Sequence, residues 1–252
     1  MHGRKEGGAM VNSNERKLCL SGWLEKYHED AYETPLKLQK FLFLYEAFSK
    51  TAGEQADFYH LKGYKRGPVF STVWGDYTKD RAEFDEAAAE AYRKASDTIN
   101  AERARKCAFV VDILTEKELS NFTHRMNIWK NKENRIMSGE YQVVLSEDDF
   151  TEADKTMMKV LESLYPDELI NNAEVIKTDK NAFIIKKTDM ARFTENHMDA
   201  LTSISENEDL DNPVYVEIDD NGRLLIDELN ADGYTKNELN IKELKSLNHL
   251  IS

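Results

Sequence analysis

The chain is poor in the residues that break or staple a polypeptide. Only 4 prolines and 11 glycines occur among 252 residues, so few positions oppose helix and helical segments should predominate. Cys19 and Cys107 are the only cysteines, too few and too far apart for a disulfide framework or a zinc site. No apolar run approaches the roughly 20 residues needed to span a bilayer, so no membrane-spanning helix and no membrane partner are expected. The segment Met1–Met10 is polar and lacks a signal peptide's apolar centre. The reducing cytoplasm is the expected location. Residues 1–13 read as a disordered leader, consistent with a vector-derived stretch ahead of a start at Met10.

Chemistry-bearing constellations are missing too. The histidines, His2, His28, His60, His124, His197 and His249, are dispersed without metal-ligand spacing. Gly67-Pro68 lacks the repeated glycines and the terminal Lys-Ser/Thr of a phosphate loop. Neither cysteine lies in a histidine pattern that would support thiol catalysis. The expectation is a non-enzymatic protein with no metal and no cofactor.

What is abundant is charge. The net charge is −13, and from Pro166 onward 9 Lys+Arg stand against 19 Asp+Glu, whereas residues 1–165 hold 25 against 28. An acidic surface repels phosphate backbones, so nucleic acid is an unlikely partner in general. It would suit a basic protein partner through complementarity and fast encounter.

Helical patterns fill the first two thirds. Residues 14–29 place Leu20, Trp23, Leu24 and Tyr27 at core spacing. Residues 34–50 follow, with Thr34 as cap, Pro35 in the first turn, and Leu38, Phe41, Leu42, Tyr45 and Phe48 on one face. An extended piece is expected at 57–65, and Gly67-Pro68 is expected to open a helix over 68–79 that buries Trp74. A long helical pattern runs from Ala82 to Leu114, with a break or two consecutive helices around Ser96-Asp97-Thr98. Leu119–Trp129 is shorter and irregular, and 141–145 reads as extended. Ser146 is the expected cap of a last helix that Pro166 stops.

Three blocks of this region carry a resemblance. Leu36-Lys37-Leu38-Gln39-Lys40-Phe41-Leu42-Phe43-Leu44 matches a helix of the form LKLQKLLYL. Gly67-Pro68-Val69, Val73 and Tyr77 match a GPV…V…Y segment. Leu119-Ser120, Thr123-His124 and Trp129 match an LS…TH…W segment. In this order the blocks make residues 14–165 resemble the Panacea domain, found in SocA-like antitoxins and in proteins labelled phage-associated. The resemblance implies a mostly helical cytoplasmic domain, with Gly67, Pro68, Thr123 and His124 as motif residues, that neutralises a toxin encoded beside it. Occlusion of that toxin, or its delivery to a protease or chaperone, would be the mechanism. The alternative is a phage- or prophage-borne regulator that binds a host protein or DNA. The charged run Lys130-Asn131-Lys132-Glu133-Asn134 departs from the family pattern.

Beyond Pro166 the pattern is α+β. Residues 174–185 and 212–226 each read as two strands around a turn, with helix between them, giving an acidic extension over 166–252. The overall class is α+β, with a predominantly helical N-terminal domain. Glu217–Glu228 also matches the ligand positions of a calcium-binding EF-hand loop, except that Glu217 replaces the leading Asp and a strand precedes it. A hairpin with an Asn-Gly turn accounts for the same residues.

For partner binding, cations interleave with aromatics at 59–66 and 123–135. Tyr64, Arg66, Phe70 and Trp129 are the candidate contact residues, since such side chains favour hot spots. A structural role at a helix junction is the expectation for His124.

Overall fold

A computed structural model of the chain describes residues 11–227. Within these residues the α+β class holds: a helical body carries a three-stranded sheet, and a second sheet of four strands follows. No described helix is long and apolar enough to cross a membrane.

Helix α1 (Glu15–Tyr27) begins where the Asn14 side chain accepts the Lys17 amide at 2.9 Å, satisfying one of the amides a helix start leaves free. The short α2 (Glu29–Glu33) leads into α3 (Pro35–Thr51). Pro35 takes the first helical position as expected, but the Thr34 hydroxyl donates back to the Asp30 carbonyl and caps nothing. Helix α3 is the axis of the body, and every residue from Leu38 to Ser49 is buried. The one-faced pattern is therefore incomplete. Neighbours cover the other side too, and Gln39, Lys40, Glu46 and Ser49 are enclosed along with the apolar face.

Strands β1 (Leu61–Tyr64) and β2 (Gly67–Phe70) form a hairpin with Lys65 and Arg66 at its tip. This corrects the helix expected from residue 68: helix α4 (Ser71–Lys79) starts only at Ser71. Pro68 fits an edge strand because a proline donates no ladder bond, and β2 is such an edge. Trp74 is also not buried. Helix α4 turns Val73, Asp76 and Tyr77 inward, which leaves Trp74 40% exposed on the opposite side.

Helix α5 (Arg81–Ala95) lies along α1. A Cβ on Gly22 would stand 2.2 Å from the Ala88 carbonyl oxygen, so the approach of the two backbones requires glycine there. A 3-10 turn at Ser96–Thr98 separates α5 from α6 (Ala101–Ile113). Helix α7 (Glu116–Arg125) starts with a reciprocal capping box between Thr115 and Glu118 and is followed by the short α8 (Asn127–Lys130) and α9 (Glu133–Met137). Strand β3 (Val143–Val144) pairs with β1 to complete the first sheet. Ser146 caps a 3-10 turn, not the following helix; α10 (Glu152–Leu164) is capped by Thr151 and Asp154.

After α11 (Asp167–Asn172), strands β4 (Ala173–Lys177) and β5 (Ala182–Lys186) form the first hairpin of the second sheet. Helices α12 (Lys187–Met190) and α13 (Glu195–Asn207) then cross to β6 (Val214–Ile218), which lies parallel to β5 and pairs antiparallel with β7 (Leu224–Asp227). Strand β5 has apolar residues on both faces because both are covered. Ala182 and Ile184 enter the core of the helical body, while Phe183 and Ile185 join Leu201, Val214, Val216 and Ile218 in a smaller core. Asp112 ties the two parts further, accepting from His28 at 2.7 Å and from Lys177 at 2.5 Å. Residues 217–227 are a hairpin. The Asp219 carboxylate accepts the amides of Asn221 and Arg223 within its turn, and Glu228 lies outside the described residues.

Candidate functional site: a clamped hairpin tip

Three helices converge on the β1–β2 hairpin and grip its backbone. From α3, the Gln39 side-chain oxygen accepts the Phe70 amide at 2.8 Å. The next residue, Lys40, donates from Nζ to the Arg66 carbonyl at 2.7 Å and to the Thr123 hydroxyl at 2.8 Å. From α7, Thr123 in turn donates to the carbonyls of Leu119 or Ser120, one and the other within 3.1 Å. From α8, Trp129 donates its indole N–H to the Tyr64 carbonyl at 3.0 Å. The turn is thereby held on both sides of its two tip residues.

The enclosure leaves no room above the lysine. Gly67 has φ +107, which L side chains rarely adopt, and a Cβ there would lie 2.1 Å from Lys40 Nζ and 2.5 Å from Thr123 Oγ1. Glycine is required twice over, by its backbone and by the space. Lys40 itself is buried, and no carboxylate lies within ion-pair distance of it among the described residues. Burial alone pulls its amine down to about 7 from the ordinary lysine value.

His124 stacks on Trp129, with ring centroids 3.9 Å apart and planes inclined by 17°. Burial lowers its affinity for a proton and the nearby Lys40 charge lowers it further, while Glu133 and the Lys65 backbone act the other way. Its Nε2 is buried without a hydrogen-bond partner among the described residues. A neutral ring in this place leaves an acceptor unused, which costs less than burying an unpaired charge.

The expected contact residues divide sharply. Phe70 and Trp129 are core residues, at 0% and 1% exposure, so neither offers a surface to a partner. Phe70 packs under the Lys17 ammonium at 4.4 Å, and Trp129 acts through its N–H on the hairpin backbone. Tyr64 is half-buried and Arg66 is exposed, with a side chain 75% accessible and 3.2 Å from Glu116. Gly67, Pro68, Thr123 and His124 do come together, around the tip and Lys40. Sequence reasoning missed Lys40 and Gln39 as site residues, although both stand in the quoted LKLQK block. It also missed Tyr141, 84% exposed and electrostatically close to Tyr64. A lysine next to a glutamine inside an apolar helical run was the available signal.

The outward side of the site is a small surface of Tyr64, Lys65, Arg66 and Tyr141, backed by the side chains that hydrogen-bond the hairpin backbone. No family model matches the chain, and neither a curated protein nor a solved structure matches it.

Proposed function

We propose that the chain is an antitoxin-type protein that binds a cognate protein toxin and neutralises it by covering it, with the hairpin tip at residues 64–66 as a contact. One observation carries this reading. Side chains from all three Panacea-like blocks meet at a single hairpin, and they fix its backbone while Lys65 and Arg66 point to solvent. A pre-ordered tip loses little conformational freedom on association, which favours tight binding by a small surface. Tyr and Arg are residue types that anchor protein interfaces. The exposed carboxylates along residues 166–227 would complement a basic toxin and speed its encounter.

The test is to express the neighbouring reading frame with and without this chain and score growth. Rescue that saturates at a fixed ratio of the two proteins, and is lost with Arg66→Glu, is the expected result. Rescue by a sub-stoichiometric amount of this chain would point to turnover and overturn occlusion. A neighbour that is harmless alone would remove the antitoxin reading.

A further inference from the structure

We propose that Lys40 is a positioning residue for the Tyr64–Gly67 tip, and that gaining a proton at Lys40 loosens the tip and makes it an acid-sensitive latch. The proposal deepens the reading of the tip as a contact surface. It is tested on the free protein, so its failure and that of the antitoxin reading are distinguishable.

The geometry sets up the conflict. Lys40 Nζ has two acceptors, the Arg66 carbonyl and the Thr123 hydroxyl, both uncharged. The groups around it supply no countercharge at contact distance. Its own helix carries Lys37 one turn earlier; the tip carries Lys65 and Arg66, the latter already paired with Glu116 of α7. Helix α7 adds His124, itself a base, and Glu133 of α9 acts on that ring rather than on Lys40. An ammonium here is thus desolvated by burial and has no countercharge in contact among the described residues. Lifting the tip would uncover Nζ, because the Gly67 backbone lies directly over it. Water would then solvate the charge.

Linkage gives the direction. The closed tip holds the neutral amine better than the charged one, with the amine at about 7 when enclosed against 10.5 in water. Closure is therefore favoured as pH rises from 7 towards 10.5, and the advantage is gone below 7. Between pH 9 and pH 7 the opening constant should grow on the order of 50-fold.

Amide hydrogen exchange at residues 65–67, corrected for the intrinsic rate and measured from pH 6 to 9, reads that constant. The expected result is the steep rise on acidification in the wild type and a flat profile in Lys40→Met. Titration of the Lys40 Cε resonance by NMR gives the second readout, with a midpoint near 7 expected. The titration needs no variant, so a poorly folded Lys40→Met leaves the proposal open to refutation. His124→Phe should keep the dependence above pH 7; its loss there would assign the effect to the ring and overturn the role of Lys40. A Lys40 midpoint at the ordinary lysine value, or tip exchange independent of pH, would overturn the proposal outright.

Discussion

Lys17 and Lys40 are both buried, on the adjoining helices α1 and α3, yet their surroundings are opposite. Lys17 Nζ contacts Glu46 at 2.6 Å and Asp57 at 3.2 Å, and it also donates to the Asp57 carbonyl. Glu46 is completed by Arg16, whose guanidinium meets both carboxylate oxygens at 2.8 and 2.9 Å, and by the Asp57 amide. Here every charge has a counterion and nearly every polar atom a partner. Among the described residues Lys40 has only neutral acceptors. A network that serves stability alone closes its charges, as buried ions otherwise cost several kcal/mol each. A buried cation left open beside a solvent-facing hairpin costs stability and is a marker of a functional region.

The largest effect expected from breaking this contrast is at the closed network. Glu46→Ala would leave Arg16 without its carboxylate and the buried Lys17 with Asp57 alone, and should cost about 3–5 kcal/mol in denaturant unfolding at pH 7. A cost below about 1 kcal/mol would show that the network contributes little. Gly67→Ala comes next, since the new methyl group needs both a strained φ and the volume of Lys40 Nζ. We expect a loss of about 2–4 kcal/mol, and NMR shifts concentrated at residues 40, 64–70 and 123.

Lys40→Met should change stability at pH 7 by less than about 1.5 kcal/mol, because the two hydrogen bonds lost are offset by removing a buried amine that has no carboxylate in contact among the described residues. The two sites should also diverge with pH. Burial works to raise the Asp57 carboxyl, but the Lys17 charge and hydrogen bonds from Tyr59 and Asn14 hold it below its ordinary 3.8. The stability it confers is present above pH 3.8 and is lost as pH falls through its lower folded value. Lys40 acts at the other end, adding stability as pH rises from about 7 towards 10.5. Melting temperatures from pH 3 to 9 should show both flanks in the wild type and only the acid flank in Lys40→Met. The smallest stability effect belongs to Arg66→Glu. Its pair with Glu116 is exposed, so unfolding should shift by no more than about 1 kcal/mol. On the proposed antitoxin reading, toxin binding should by contrast be lost, and a variant that still rescues growth would remove the tip from the interface.

Several elements were legible because local chemistry alone decides them. Asn14 and Pro35 announce helix starts, and the pattern of Leu38, Phe41, Leu42 and Tyr45 announces a buried face, with all four residues buried as expected. The turn at Asp219–Arg223 was visible from Asn221-Gly222. Other readings failed where a distant partner decides. Gly67-Pro68 looked like the opening of a helix, but β1 and Gln39 recruit Gly67–Phe70 into a strand. Trp74 looked like core because it is large and apolar, and the phase of α4 points it outward. Phe70 and Trp129 looked like contacts because aromatics near cations suit both surfaces and cores.

By itself the sequence determined the α+β class, most helix positions, the two C-terminal hairpins and the uneven acidity, all of which follow from propensity, period-3.6 patterning and composition. It also contained the blocks LKLQK, GP and TH…W, which lie up to some 90 positions apart. Only the tertiary structure decided that Gln39, Lys40, Thr123 and Trp129 meet on one hairpin, and that Lys40 does so with no counterion among the described residues. The physical reason is that burial and hydrogen-bond partnership belong to residues distant along the chain. Whether a lysine is an ordinary solvated cation or an enclosed, weakly basic amine is set by the helices and the glycine packed around it.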